Sequence, residues 1–157
     1  MIKYIVICTL LVIAFFVCKG YSDFVDLSID QAKAYLAFVN HIERKIGGYL
    51  TPPSKLGEGF DSPHLKGMIE NISSGMSLIE SYRLCHDTLP MSIEKALDSF
   101  FVDFGKGSAE LELRRARDTA RQLEEALNYE VENGEKRKKI CSAIMPSLVI
   151  GIVIWII

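Results

Sequence analysis

The sequence predicts an all-α protein, a helical bundle of five to six helices flanked by N- and C-terminal transmembrane helices. Three observations predict this fold class. Both ends of the chain are apolar, the charged middle carries apolar stripes with the period of a helix, and no stretch alternates with period two for long enough to form a strand. We therefore divide the 157 residues into a transmembrane helix 2–21, a helical bundle domain 22–139 and a transmembrane helix 140–157.

The C-terminal segment gives the strongest signal. Four consecutive cations, Lys136, Arg137, Lys138 and Lys139, precede an uncharged apolar segment, 140–157. At about 1.5 Å of rise per residue this segment forms a helix of about 27 Å, close to the roughly 30 Å of a bilayer core. Cations are costly to translocate and are attracted to anionic lipid headgroups, so we expect this cluster, and the domain before it, on the cytoplasmic side. The alternative is a buried core helix.

The N-terminal segment has two interpretations. Lys3 and Lys19 enclose an unbroken apolar run that fits an uncleaved membrane helix, with Lys3 and Tyr21 at the two interfaces. A single cation before an apolar core also fits a secretory signal, although residues 16–21 do not resemble a small-x-small cleavage site. The flanks of this helix do not fix its orientation. The C-terminal cations then decide it, and both termini would face away from the cytoplasm.

The composition of the middle excludes several classes of protein. Between Gly20 and Lys139, 16 Lys and Arg residues oppose 20 Asp and Glu residues, a net charge of −4 with no basic excess for nucleic acid. Cys85 is the one cysteine of this part, so the sequence predicts neither a disulfide framework nor a Cys/His zinc site there. We therefore expect the middle of the chain to lie in a reducing compartment.

The bundle helices are predicted from caps and breaks. A capping box at Ser28–Gln31 starts a helix that Gly47-Gly48 ends. A short helix follows Thr51-Pro52 and stops near Gly57 and Gly59, and a third runs from Ser62-Pro63 to the break at Ser73-Ser74-Gly75. The apolar stripe of the first bundle helix is Ile29, Ala32, Leu36, Val39, Ile42 and Ile46.

Three further helices complete the bundle. The spacing of apolar residues predicts one helix over about 76–88 and another over 92–104. A long helix begins at Ser108 and is expected to continue through Gly134 towards the apolar C-terminal segment. Its apolar seam has nearly heptad spacing, which indicates packing against another helix: Leu113, Ala116, Ala120, Leu123, Leu127 and Val131.

Motifs of catalysis and cofactor binding are missing from the sequence. The three histidines are scattered, the Gly-x-Gly pairs at Gly57 and Gly105 lack the context of a phosphate loop, and no serine lies in a GxSxG elbow. We therefore expect no cofactor, no metal site and no enzymatic activity. Each histidine is expected at the surface or at its boundary.

A row of arginines is the one candidate binding site of the domain. Arg114, Arg117 and Arg121 share a face of the long helix that differs from its apolar seam. One interpretation is a solvated row paired with Glu110, Asp118 and Glu124 at helical spacings. The other is a partner-docking surface for an acidic protein.

The order of these features resembles the stage III sporulation protein AB family of endospore-forming bacteria. The resemblance covers essentially the whole chain and rests on weak motifs in sequence: Thr51-Pro52, Ser74-Gly75, Phe104-Gly105-Lys106, Gln122-Leu123 and the basic block before the C-terminal anchor. The segment after Phe104-Gly105 departs from the family pattern, being shorter by about a helical turn and lacking an Asp.

The resemblance implies a component of the membrane complex that links mother cell and forespore. Its soluble domain would be similar to the cytoplasmic domains of the platform protein of type II secretion and pilus systems. It would face the mother-cell cytosol, in the membrane around the forespore, and contact the ATPase and other components of the complex. Membrane lipid is a further expected partner, nucleic acid is not, and a homo-oligomer is left open.

Two rival functions belong to other classes. The first is an exported helical sensor or adhesin, anchored by its C-terminal segment, whose first helix is a cleaved signal peptide. The second is a small membrane-associated hydrolase, which would need a clustered acid–base pair.

Overall fold

The structure, a computed structural model, describes residues 2–48, 52, 55–85 and 88–156 of the chain. This part contains five α-helices and no strand, so the all-α prediction is confirmed. The helices are α1 (Ile2–Gly48), α2 (Lys66–Ser73), α3 (Leu78–Leu84), α4 (Met91–Asp103) and α5 (Ala109–Ile156).

Helix α1 is longer than the sequence predicts. The helix continues through residues 23–26, where a break was predicted, and through Ser28, where a new helix was predicted to start, so both predictions are wrong. Ser28 is a buried residue within this helix. The chain has no glycine or proline between Tyr21 and Ile46. Extending an existing helix then costs less than ending it and nucleating a second one. The helix ends at Gly48, in the glycine pair predicted to stop it.

The short helix predicted after Thr51-Pro52 is not an α-helix where it is described. The N–H groups of Lys55 and Glu58 donate to carbonyls only three residues earlier, at 2.9 and 3.2 Å, which is turn geometry. Gly59 has a φ of +77°, a left-handed conformation that favours glycine and ends the turns. Residues 51, 53 and 54 lie outside the described residues.

The three middle helices lie within or close to their predicted ranges, with shifted ends. Helix α2 begins at Lys66, three residues after the Pro63 predicted to start it, and ends at Ser73, two residues before Gly75, whose φ is +96°. Helix α3 begins after a capping box in which Ser77 Oγ accepts from the N–H of Glu80 at 3.3 Å. It ends at Leu84, four residues earlier than predicted. Helix α4 starts after Pro90, and α5 runs through Gly134 as expected.

The chain divides into two compact units. The central unit comprises residues 28–130 and the terminal unit residues 1–27 and 131–157. The core of the central unit takes side chains from all five helices and contains a chain of aromatic contacts. Tyr82 lies 5.7 Å from Tyr35 and 4.8 Å from Phe101, measured between ring centroids. Tyr35 and Phe38, which the predicted stripe of α1 left out, are both fully buried.

The terminal unit pairs the start of α1 with the end of α5. Its less exposed positions recur at helical spacing along each helix, so each presents one face to the other. On α1 they are Ile7, Leu10, Ala14, Cys18, Tyr21 and Val25, and on α5 they are Gly134, Lys138, Cys141, Met145 and Val149.

One helical segment of the described residues, Val6–Gly47 near the N-terminus, is long and apolar enough to cross a membrane. None of its most apolar window is buried inside the protein. A signal sequence passes the same test, so both interpretations of this segment remain open. No second span is found by this test among the described residues, and the C-terminal span stays a prediction.

Candidate functional site

The three predicted docking arginines lie on the central-unit part of α5. Their side chains are 72%, 62% and 75% exposed for Arg114, Arg117 and Arg121. The apolar seam of the same helix turns inward through Ala116, Ala120 and Leu123. One face of this helix therefore packs in the core, and another face carries a row of solvent-exposed guanidinium groups.

Each arginine of the row has an acidic neighbour, but only one of the three expected partners is correct. Arg114 binds Glu110 at 2.9 Å, as predicted. Arg117 donates at 2.8 Å to Glu43 of α1, a partner 74 residues away that helical spacing cannot reveal. Arg121 lies 3.9 Å from Glu125 rather than close to Glu124. Asp118 and Glu124 form no ion pair within the described part of the chain.

These ion pairs leave the row able to bind another molecule. Exposed pairs of this kind contribute about 0–1 kcal/mol each, so an incoming carboxylate can replace Glu110 or Glu125 at little cost. A guanidinium offers five donors in a planar fork that matches a carboxylate in two-point contact. Arg117 differs from the other two because it also joins α5 to α1, which gives it a structural role as well.

The basic block predicted to fix topology lies in the terminal unit. Lys136 binds Glu132 at 2.7 Å, and Lys138 contacts both Asp26 of α1 and, at 3.6 Å, Glu135. The hydrogen bond from Lys136 lowers the pKa of the Glu132 carboxyl. The hydrogen bond to Asp26 raises the pKa of the Lys138 ammonium, against a smaller opposing effect of desolvation. Part of the block is thus held by carboxylates within its own unit.

Large apolar side chains point outward from the terminal unit. Phe15 and Phe16 of α1 are about two-thirds exposed, and Ile144, Leu148 and Ile154 of α5 are each more than half exposed. The less exposed face carries small residues, such as Ala14 and Gly134, beside larger apolar ones, such as Leu10 and Met145. Apolar side chains therefore lie on both faces of these helices, whereas a water-soluble helix pair keeps its outer face polar.

The polar groups inside the apolar part of α5 are satisfied within the helix. The hydroxyl of Ser142 donates to the carbonyl of Lys139 at 2.9 Å, and that of Ser147 donates to the carbonyl of Ala143 at 3.0 Å. Pro146 lies between these two serines, and α5 continues through it. Internal satisfaction of this kind is what an apolar solvent requires of a helix that contains proline and hydroxyls.

Two contacts of the terminal unit escaped the sequence analysis. The thiols of Cys18 and Cys141 are 3.6 Å apart, and Asp26 pairs with Lys138. The sequence held a signal for the first contact: Cys18 directly precedes Lys19, and Cys141 follows Lys139 by two residues. If the two apolar segments pair antiparallel, residues at similar distances from the flanking cations lie at about the same level.

Glu112 was also missed. Its side chain is buried, and Oε1 accepts from the N–H of Gly107 at 2.9 Å and from Arg115 at 3.1 Å. Arg115 donates in addition to the carbonyl of Asp103, so one carboxylate ties the α4–α5 turn to the start of α5. A Cβ at Gly107 would come within 2.7 Å of Leu111, which explains the glycine there. The role of Glu112 is therefore structural.

The histidines form no catalytic or metal site in the described residues. His64 is exposed, while His41 is half-buried, with its ring 5.4 Å from that of Phe60 and Nε2 3.2 Å from the carbonyl of Glu58. His86 lies outside the described residues. Among those described, no three His, Cys, Asp or Glu side chains come together as metal ligands.

Comparisons with protein-family models, with curated proteins and with solved structures find no match to this chain.

Proposed function

We propose that this chain is a non-enzymatic membrane platform protein. The terminal unit crosses the bilayer twice, as an antiparallel helix pair, and holds the central unit in the cytoplasm. There the central unit serves assembly: it docks the cytoplasmic ATPase of a sporulation channel complex, as the resemblance to the stage III sporulation protein AB family implies. Its place is the mother-cell membrane around the forespore.

The outward-facing apolar side chains of the terminal unit carry this proposal. Exposed phenylalanine, leucine and isoleucine on two neighbouring helices would be costly in water and are favourable in hydrocarbon. The hydroxyls of Ser142 and Ser147, which donate to carbonyls within α5, also favour a hydrocarbon environment for this segment. The small residues Ala14 and Gly134 on the less exposed face fit the same environment, since helices in lipid associate by close packing at small residues.

The basic block supports a cytoplasmic central unit. Lys136 to Lys139 follow the central unit in the chain and precede the apolar end of α5, so they sit at the boundary that the positive-inside rule concerns. The exposed pair of Lys136 with Glu132 costs little to break when anionic lipid is present, whereas Lys138 is less exposed and stays paired with Asp26 and Glu135.

The arginine row is the proposed ATPase-docking surface. It offers three exposed guanidinium groups on one helix, and the acids that pair with them are weakly held. An acidic patch on the partner would complement this row in charge, which raises the association rate and selects the partner.

Cysteine labelling tests the topology. In a chain with all four native cysteines changed to Ser, Met91→Cys places a thiol on the central unit, where Met91 is 70% exposed. A matched variant carries Lys3→Cys, at the N-terminal end. The protein is expressed in the plasma membrane of non-sporulating cells, where the proposed non-cytoplasmic side faces the medium. With a membrane-impermeant maleimide on these intact cells, we expect labelling of Lys3→Cys only, and labelling of Met91→Cys only after permeabilisation.

The exported alternative gives the opposite pattern. A cleaved signal peptide would remove residue 3 and with it the label, while Met91→Cys would be labelled from outside. That result would end the cytoplasmic platform proposal in favour of the anchored sensor or adhesin.

Charge reversal tests the docking surface. Arg114→Glu with Arg121→Glu leaves the Arg117–Glu43 contact intact, so the central unit is expected to fold normally. We expect capture of the ATPase by the full-length protein to fall at least tenfold, because four units of charge change at the contact. The matched control, Arg44→Glu with Arg83→Glu, makes the same change on α1 and α3. Equal capture by both double variants would refute docking at this row.

A further inference from the structure

The side chains of Cys18 and Cys141 are in direct contact inside the terminal unit. Their sulfur atoms are 3.6 Å apart, and the Cys18 thiol also points at the carbonyl of Cys141 at the same distance. Both thiols are free and half-buried between the helices. A disulfide needs a sulfur–sulfur distance of about 2.05 Å, so side-chain rotation and a small approach of the helices suffice to form it.

We infer that Cys18 and Cys141 are a redox site, a dithiol that a disulfide oxidant converts reversibly into a covalent bond between α1 and α5. The two residues are 123 positions apart, so the bond closes a ring that contains the entire central unit. Oxidation fixes the register of the helix pair, and reduction releases it.

The chemistry is a thiol–disulfide exchange with a low-molecular-weight or protein disulfide as the oxidant. One cysteine thiolate attacks a sulfur of the oxidant, forming a mixed disulfide and releasing the first thiolate of the oxidant. The second cysteine thiolate then attacks the mixed disulfide at the protein sulfur and releases the other thiolate. The protein loses two electrons and two protons, and the oxidant leaves as two thiols.

The position of the pair allows this exchange. Exchange needs a thiolate, and a thiolate needs contact with water or cations. Cys18 is adjacent to Lys19 and Cys141 lies two residues from Lys139, so both sulfurs are at the charged end of the apolar segments rather than in their middle. Cys8, ten residues before Cys18, is exposed on the apolar surface and provides an internal comparison.

Alkylation after oxidation tests the inference. The full-length protein in detergent micelles is treated with oxidised glutathione, quenched with acid and reacted with a maleimide, and the maleimide and glutathione adducts together are counted by intact mass. We expect the wild type to lose two of its four adducts, with Cys18 and Cys141 joined in the peptide map. Neighbouring thiols close faster than a second glutathione reacts, so no glutathione is expected to remain attached to this pair.

Single substitutions provide the controls. Cys8→Ser and Cys85→Ser variants should still lose two adducts, whereas Cys18→Ser and Cys141→Ser variants should form no internal bond and keep glutathione on the remaining cysteine. Four adducts on the oxidised wild type, a bond to Cys8 or Cys85, or a bond between two chains would each overturn the inference. So would equal cross-linking in protein unfolded with dodecyl sulfate. The experiment needs no membrane, so its failure would leave the topology proposal untouched.

Discussion

Two pairs of neighbouring phenylalanines lie in opposite surroundings in this protein. In the central unit, Phe100 and Phe101 are almost fully buried, with ring centroids 5.3 Å apart. In the terminal unit, Phe15 and Phe16 are similarly close, at 6.0 Å, yet about two-thirds exposed. The same dipeptide thus belongs to a core in one unit and to an outer surface in the other.

The two pairs differ in what would stabilise them. The core of the central unit is supplied by its own side chains, and burying each large one contributes about 1.5–3 kcal/mol. The outward residues of the terminal unit make no such contribution without lipid around them. A substitution in the central unit should therefore change folding, and one in the terminal unit should change membrane insertion.

Truncating a phenylalanine in each unit gives the largest expected contrast. Phe101→Ala leaves a cavity beside Tyr82 and Phe100 and should lower the free energy of unfolding of the central unit by about 3–5 kcal/mol. Phe16→Ala should change it by less than about 0.5 kcal/mol. Urea unfolding of the full-length protein in detergent, followed by circular dichroism, measures both. A similar loss in the two variants would show that Phe16 is a core residue and would contradict the lipid-facing assignment.

Placing a cation on each unit gives the next contrast. Leu148 and Leu84 are nearly equally exposed, at 56% and 59%. Leu148→Arg puts a charge in the proposed hydrocarbon region at a cost of about 2.5–3.5 kcal/mol. In a chain that lacks residues 2–21, so that only α5 can anchor it, we expect the fraction that resists carbonate extraction to fall sharply. Leu84→Arg puts the same charge in water, where an effect within about 0.5 kcal/mol is expected.

Equal extraction of the shortened chain with Leu148 and with Leu148→Arg would place the end of α5 outside the hydrocarbon. The C-terminal span would then be wrong, and the N-terminal segment would remain as the one candidate span of the described residues. The two outcomes therefore separate a two-span protein from a one-span protein.

Local signals in the sequence predicted the helices well where a residue forces the backbone. The breaks at Gly48 and Gly75 and the start after Pro90 follow from glycine and proline. The capping box at Ser77 was not predicted. The false cap at Ser28 shows the limit of this reasoning. A capping box permits a helix start but does not impose one, and no neighbouring residue ends the helix already running there.

In the candidate sites, the sequence predicted contacts within a single helix but not contacts between helices. The pair of Arg114 with Glu110 follows from spacing on α5, whereas the pairs Arg117–Glu43, Lys138–Asp26 and Cys18–Cys141 join distant parts of the chain. Such contacts depend on the register between α1 and α5, which periodicity does not specify. The closeness of each cysteine to a flanking cation, one residue for Cys18 and two for Cys141, is the sequence feature that pointed to the cysteine pair.

The smallest expected effect is a pH dependence of the central unit through His41. Burial lowers the pKa of His41 below its ordinary value of 6.5; the nearby Lys45 and Arg44 lower it further, and the hydrogen bond with the Glu58 carbonyl partly offsets these effects. As the pH falls through 6.5, the unfolded chain therefore takes up the proton first, and the folded state loses stability. His41→Gln removes this contribution. Between pH 7.5 and 5.5 the thermal midpoint of the variant should fall by about a degree or two less than that of the wild type, measured by circular dichroism. His64→Gln, at an exposed position, is the matched control. An unchanged pH dependence in His41→Gln would mean that the packing of the ring against Phe60 does not disfavour its protonation.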